Sequence, residues 1–288
     1  MRTTLGNIYS VFKVRIGLAI TLCALAGLAV TPGARPEAWQ IAVLALAVLL
    51  SSASAGAFNH YVERDLDARM ARTRARPFVT GTFRPGMPWL LSIGLILAVA
   101  VCGAALAVNA VAALHVFLGA FVYGIVYTVW LKRRTSLNIV VGGLAGSFAV
   151  LAGAASVDPA LTPAPTILAL VLFLWTPPHF WSLATAFRDD YAAAGVPMLP
   201  VVVGDRVAAR IILAHTVALV LISLLPAVFG LGWIYLAAAL AGGALFVRRS
   251  IQLVRDPRPA TALANFKASL VQLGLLLSGA IADGWLFA

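Results

Sequence analysis

The chain has 288 residues, 62% of them hydrophobic and only 11% charged, where a soluble globular domain carries about 25% charged residues. Its formal net charge of +11 would suit a nucleic-acid-binding protein, but the composition excludes a soluble domain of that kind. No polar stretch is long enough to build a separate core, so the chain reads as an all-α, multi-spanning membrane protein forming one domain over residues 1–288.

Nine apolar runs approach or reach the roughly 20 residues needed to cross a bilayer. In chain order they cover residues 11–30, 39–58, 87–107, 111–130, 138–157, 165–185, 208–229, 232–248 and 266–287. The segment before the first run lacks a small-residue cleavage site, so that run is expected to be a retained span and not a signal peptide. With nine spans, alternate loops share a side, and every one of the 21 Lys and Arg residues except Arg35 then falls on one side, from Arg2 to Lys267. Positive residues mark the cytoplasmic side, which predicts a cytoplasmic N-terminus, an outer C-terminus and a cell (inner or plasma) membrane location. Both cysteines, Cys23 and Cys102, fall inside apolar runs and read as small buried hydrophobes. Gly142, Gly143, Gly146 and Gly153 read as sites of close helix packing.

The connection after the second run carries the first chemistry. Residues 59–73 hold three of the ten acidic residues, and charge beside a bilayer usually has a function. Asn59, Glu63 and Asp67 are spaced i, i+4, i+8 and so share one stripe of a helix. Three oxygen-bearing side chains on a stripe suit Mg²⁺, which takes few protein carboxylates and completes its shell with water and substrate phosphate. Arg64, Arg69, Arg72, Arg74 and Arg76 interleave or follow, and a guanidinium matches phosphate oxygens with a planar fork. Asp65 and Arg69, at i, i+4, are expected to form a surface ion pair.

At the end of the fourth run, Lys132-Arg133-Arg134 is either a topology signal or a diphosphate neutraliser, with Tyr127 and Asn138 nearby. After the sixth run comes a second long polar connection. Pro177-Pro178 is expected to break the end of that span, as backbone lining a cavity allows. His179 would sit just past the break among Trp175, Phe180 and Trp181. Arg188, Asp189, Asp190 and Tyr191 follow, an acidic pair that would face the first stripe across a shared cavity. His60 adjoins the stripe, whereas His115 and His215 lie within apolar runs.

At these residues the chain resembles the UbiA superfamily of intramembrane prenyltransferases, and within it the branch that farnesylates heme. The likeness is carried by Asn59-x3-Glu63-Arg-Asp65-x-Asp67-x2-Met70-x-Arg72-Thr73-x2-Arg76-Pro77, by Tyr127-Thr-x2-Leu-Lys-Arg-Arg-Thr135-x2-Asn138, and by Trp175-Thr-Pro-Pro-His179-Phe-Trp with Asp190-Tyr191 and Pro197-Met198. Asn265-Phe-Lys-x-Ser269 closes the pattern. Two departures stand out: the superfamily's first motif usually has Asp where Glu63 stands, and its second has acids at i, i+4 where Asp189 and Asp190 are adjacent.

The resemblance implies nine helices around a central cavity open to the cytoplasm, and transfer of a farnesyl group from farnesyl diphosphate to a vinyl group of heme B. It implies Mg²⁺ at Asn59, Glu63, Asp67, Asp189 and Asp190, with Asn59, Glu63, Asp67, Asp190 and His179 catalytic. Arg72, Arg76, Lys132, Arg133 and Arg188 would bind diphosphate, and His60, His179 and Trp181 would contact heme. Membrane lipid and a heme-modifying enzyme or oxidase assembly factor are the further partners it suggests. Two other readings stay open here: a superfamily member acting on a quinone or chlorin, and a transporter or non-catalytic assembly factor. A transporter would place ionisable residues mid-membrane, whereas most acids here lie in inner connections.

Overall fold

The computed structural model describes residues 3–286; Arg2 and Phe287, the latter at the end of the last expected span, lie outside them. Among the described residues the regular structure is entirely helical. Among the described residues eight helices are long and apolar enough to cross a membrane, and a bent pair at the start brings the number to nine if it is counted as one span. That pair is α1 (Thr4–Val11) and α2 (Val14–Ala29), which meet at 44°. The first expected run therefore bends near its start, where Lys13 takes a left-handed backbone with φ 49°.

Then come α3 (Ala38–Val62), the short α4 (Arg64–Ala68), α5 (Met87–Ala107) and α6 (Ala110–Phe121). α6 runs on as a π-helix, Val122–Leu131. α7 (Asn138–Gly142) and α8 (Leu144–Ala155) form one span, and α9 (Pro163–Ala186) the next. Short helices α10 (Arg188–Ala193) and α11 (Leu199–Val203) lead into α12 (Asp205–Ile222), and α13 (Trp233–Arg255) and α14 (Pro259–Leu286) end the chain.

Several expected boundaries shift. The run 208–229 is α-helical only to Ile222 and finishes as a 3₁₀ turn, Leu225–Phe229, with Pro226 in it. α13 and α14 extend to Arg255 and from Pro259, because charged residues at helix ends reach the membrane surface along their aliphatic stems. The largest correction concerns Pro177-Pro178: α9 continues through both prolines and ends only at Phe187 (φ −123°, ψ 35°). Neighbouring groups accommodate the lost backbone bonds. Pro177 leaves the Phe173 carbonyl without its helical N–H partner, and Gly143 of the neighbouring span lies close to it, where a Cβ would be 3.1 Å from the oxygen.

Each long helix packs against the next, and α14 returns to α2, so the spans close a ring. Inside it, α2 crosses α8 and α9 crosses α14. The α2–α8 crossing lies at the end remote from the long polar connections. A Cβ on Gly27 would lie 2.1 Å from Val150 O, and one on Gly153 would lie 1.8 Å from Ala24 O. Small residues thus seal that end by backbone contact. Of the other expected packing glycines, Gly142 abuts the Tyr127 ring and Gly143 faces Phe173 and Thr176, but Gly146 meets nothing.

Candidate active site at the polar end of the ring

The stripe survives a helix break. α3 ends at Val62 and α4 starts at Arg64, with Glu63 between them. Yet Glu63 N donates to Asn59 O at 2.9 Å and Asp67 N to Glu63 O at 2.8 Å, so the i, i+4 register runs through the junction. All three side chains are buried, at 2%, 1% and 3% exposure. A carboxylate so placed is costly unless compensated.

Each of the three side chains has its own cation. Lys13 Nζ donates to Asn59 Oδ1 at 2.6 Å and to Tyr123 OH at 2.8 Å. Lys132 Nζ holds both Glu63 oxygens, at 2.6 and 2.5 Å, and Arg76 Nη1 holds both Asp67 oxygens, at 2.9 and 2.7 Å. Asn59 Nδ2 donates to Thr128 Oγ1 at 3.0 Å, which fixes which amide atom faces Lys13. Tyr123, Tyr127, Thr128 and Lys132 all ride on the π-helical segment or its end, where Lys132 N bonds Tyr127 O five residues back. The wider turn aligns residues that an α-helix would separate, a local distortion common at functional sites. Burial raises the Asp67 carboxyl above its usual range, and Arg76 pulls it back down.

Lys13 was not among the expected site residues. Nothing in its neighbours' identity marks it, since Arg15 shares the same start of the apolar run. The left-handed bend turns it inward onto Asn59, 46 positions away. Backbone held in this region costs energy and collects at functional sites.

The second polar connection meets the first, but differently from expectation. Asp190 accepts from the backbone N–H groups of Ala71 and Arg72, both at 3.3 Å, and so holds the first loop in place. Arg72 lies over the Phe187 ring at 5.6 Å and reaches Tyr191 OH at 3.5 Å. Asp189 is exposed, and Arg188 turns to Asp205 at 3.5 Å, so neither is brought to the stripe. Asp65 pairs with Arg133, at 2.8 and 2.9 Å, and not with Arg69. The helix ends at Ala68, so Arg69 loses the register that the expected pair required. The Arg133 hydrogen bonds hold the Asp65 carboxyl below the usual range.

A cavity of about 540 Å³ opens beside these groups, lined by Asn7 and Ser10 of α1 and by Arg72, Thr73 and Arg76. Deeper in the ring, the His179 ring is stacked between Trp175 and Phe266, with centroids at 4.1 and 4.5 Å. His60 is buried next to the stripe, its Nδ1 without a partner among the described residues. Trp181 is 2% exposed and sets its ring edge-on to His215 of α12, on a different side of α9 from His179.

Comparison with known proteins places this arrangement. The model of the UbiA prenyltransferase family matches residues 20–273. The chain belongs to this family. "Protoheme IX farnesyltransferase 2" of Paramagnetospirillum magneticum is 61% identical over 283 residues, covering 98% of each chain. "Protoheme IX farnesyltransferase 1" of the same organism is 49% identical, over 97% of this chain and 99% of that one. Among solved structures, a UbiA homolog from Archaeoglobus fulgidus bound to DMAPP and Mg²⁺ superposes with a TM-score of 0.73 at 16% identity, covering 98% and 100% of the two chains. A UbiA homolog from Aeropyrum pernix in its apo form gives 0.68 at 22% identity, over 94% and 96%. These two likenesses concern the UbiA fold.

The donor set suits a hard divalent cation. Among the described residues no three His, Cys, Asp or Glu side chains gather at one point. The stripe instead offers one amide and two carboxylates, all oxygen donors, in line with the few protein ligands Mg²⁺ takes.

Proposed function

We propose that this UbiA-family chain transfers the farnesyl group of farnesyl diphosphate to a vinyl group of heme B, giving the hydroxyethylfarnesyl side chain of heme O. The single observation that carries this reading is 61% identity across 98% of the chain with a protoheme IX farnesyltransferase. The enzyme is one membrane-embedded domain in the inner or plasma membrane, N-terminus and polar end inside. The side bias of Lys and Arg supports that orientation.

Asn59, Glu63 and Asp67 would hold Mg²⁺, which supplies charge neutralisation to a leaving diphosphate. The chain's own cations do the complementary work. Lys13, Lys132 and Arg76 neutralise the stripe in the free protein. Arriving diphosphate gives them new oxygen partners, so they stabilise its negative charge as the carbon–oxygen bond breaks. Arg72 stands at the cavity wall to take a further phosphate oxygen. Asp190 acts through the loop backbone, by keeping Arg72 and Arg76 on the cavity side. The allylic cation so formed needs dry, aromatic walls, which Tyr123, Tyr127, Trp175 and Phe266 furnish. The vinyl carbon adds to that cation, and water closes the new carbocation beside the porphyrin. His179 and, next to the stripe, His60 are the candidate heme contacts.

The test supplies membranes bearing the chain with heme B, farnesyl diphosphate and Mg²⁺, and weighs the extracted porphyrin. A mass gain of one farnesyl group plus one hydroxyl is expected, the remaining proton of the quenching water being released. An unchanged porphyrin alongside a prenylated quinone would overturn the heme assignment.

A further inference from the structure

At the end of the ring remote from the stripe, the ends of α2 and α14 and the turn before α13 enclose a second cavity, of about 190 Å³. Its walls are mostly apolar, from Val30, Pro32, Phe229 and Leu231, and Asp283 of α14 stands among them. Asp283 is 3% exposed. Its Oδ2 accepts from Gly232 N, and its Oδ1 is buried with no partner among the described residues. A Cβ on residue 232 would lie 3.0 Å from Oδ1, so glycine there lets the backbone come this close. Among the described residues no Lys, Arg or His stands within ion-pair distance of this carboxylate. An ionised carboxylate offers about four acceptor sites, and leaving it buried and unpaired is costly.

A cation stands one position away and does not pair with it. Arg35 donates to the carbonyl of Gly284, the residue after Asp283 and itself part of the cavity wall. That carbonyl lies in the last turn of α14, where backbone oxygens have no helical partner. The guanidinium lies over the Trp285 ring at 4.1 Å and makes no ion pair among the described residues. Gly284 O takes one of its five N–H donors. An unpaired anion and an unpaired cation are thus held side by side, each turned to backbone and neither to the other. Trp39, Trp233 and Trp285 are exposed around this end, as indole rings are at a membrane–water interface.

The chemistry narrows the occupant. A hard metal ion takes several oxygen ligands, and here one carboxylate stands in an apolar wall. A ligand at headgroup level that carries both opposite charges answers both residues. A choline ammonium has no N–H to give Oδ1, whereas a primary ammonium has three, and the apolar wall suits the methylene groups next to it. We propose that this cavity binds the headgroup of an ethanolamine phospholipid, its ammonium donating to Asp283 and its phosphate taking free N–H groups of Arg35. The lipid clamps the ends of α2 and α14 to the turn before α13, far from the stripe, whichever acceptor the polar end prenylates.

The test needs no turnover. Purified full-length protein in detergent is titrated with phosphatidylethanolamine and, separately, with phosphatidylcholine of the same acyl chains. Native mass spectrometry counts the bound lipid, and Tm is followed in parallel. Wild type is expected to bind phosphatidylethanolamine about 10-fold more tightly than phosphatidylcholine, the scale of one hydrogen bond to a charged group, and to gain Tm with it. Asp283→Asn keeps an acceptor for Gly232 N and should bind the two lipids alike. Arg35→Gln should weaken both lipids by a similar factor and keep the preference, because only the phosphate loses its partner. Ammonium chloride and free phosphoethanolamine, each at the lipid's concentration, should not reproduce the gain in Tm. Equal affinity of wild type for the two lipids overturns the proposal, as does a preference that survives in Asp283→Asn. Unchanged affinity for both lipids in Arg35→Gln overturns it without recourse to the Asp283 variant. A gain in Tm from either soluble compound as large as the lipid's also overturns it, since the occupant is then a free ion.

Discussion

The two ends of the helix ring are built on opposite principles. At the end remote from the polar connections helices touch backbone to backbone: Gly27 and Gly153 each sit where a Cβ would strike the other helix's carbonyl. Asp283, the buried acid there, accepts from Gly232 N, and an outer cavity of only about 190 Å³ lies beside it. At the polar end, packing gives way to paired charge: Glu63 is buried with Lys132 and Asp67 with Arg76, and Arg76 lines a cavity of about 540 Å³. Buried ion pairs are weak sources of stability, since desolvation offsets most of their attraction. Such pairs are therefore better explained by what they hold when substrate arrives. The remote end holds the fold together, and under the proposed function the polar end serves the chemistry.

Substitution at the two ends should separate these roles. Gly153→Val places a side chain where the first carbon already lies 1.8 Å from Ala24 O, so backbone must move. The expected cost exceeds about 4 kcal/mol, in the range of gross packing failure. It should show as loss of monodisperse protein and a collapsed Tm, with heme O falling only as folded protein falls. A Gly153→Val protein with wild-type Tm breaks the outer half of the comparison.

Asp67→Asn tests the polar half. The side chain keeps its volume, and Arg76 keeps part of its solvent contact, its side chain being 20% exposed. Turnover should drop by about 10²–10³-fold, the scale for losing a group that supports developing charge. Tm should move little. Chelating Mg²⁺ with EDTA should remove turnover in wild type and subtract almost nothing further from Asp67→Asn. Parallel losses of Tm and turnover in Asp67→Asn would mean that the pair is structural. Asp283→Asn is the outer counterpart: Gly232 N retains an acceptor, so the expected cost is about 0.5–1.5 kcal/mol with turnover per folded molecule unchanged.

The legibility of the two ends in sequence differed for a physical reason. Apolar length is a local property, and it yielded nine spans once α1 and α2 are joined as one. The stripe was legible because i, i+4 spacing is also local, and the backbone bonds through Glu63 preserve it. What the sequence hid were partners chosen over long distance. Lys13 reaches Asn59 only because of a left-handed bend, and Asp65 takes Arg133 because α4 is too short to present Arg69. Pro177-Pro178 misled for a related reason. A proline breaks an isolated helix, whereas here α9 is packed against α8, α12 and α14 and stays helical through Pro177 and Pro178. Asp189 and Asp190 looked alike as neighbours, yet the step of about 100° between successive residues of α10 puts one in solvent and the other on the backbone of Arg72.

The smallest effect belongs to a charge pair of the polar end that lies outside its buried set. Arg133 and Asp65 are 43% and 50% exposed, so solvent screens them. Pairs of this kind contribute about 0–1 kcal/mol. Arg133→Gln should lower Tm by no more than that implies and leave turnover near wild type, because the buried Lys132–Glu63 pair is untouched. The pH dependence has a definite sign. Asp65 has its carboxyl lowered by Arg133, so whatever the pair contributes is present above the ordinary carboxylate range and lost as pH falls through the lowered value. The Tm gap between wild type and Arg133→Gln should thus be constant from pH 7 down to about 5 and close only in stronger acid. A gap that widens on acidification, or a loss of turnover as large as that of Asp67→Asn, would move Arg133 from the exposed rim into the working set.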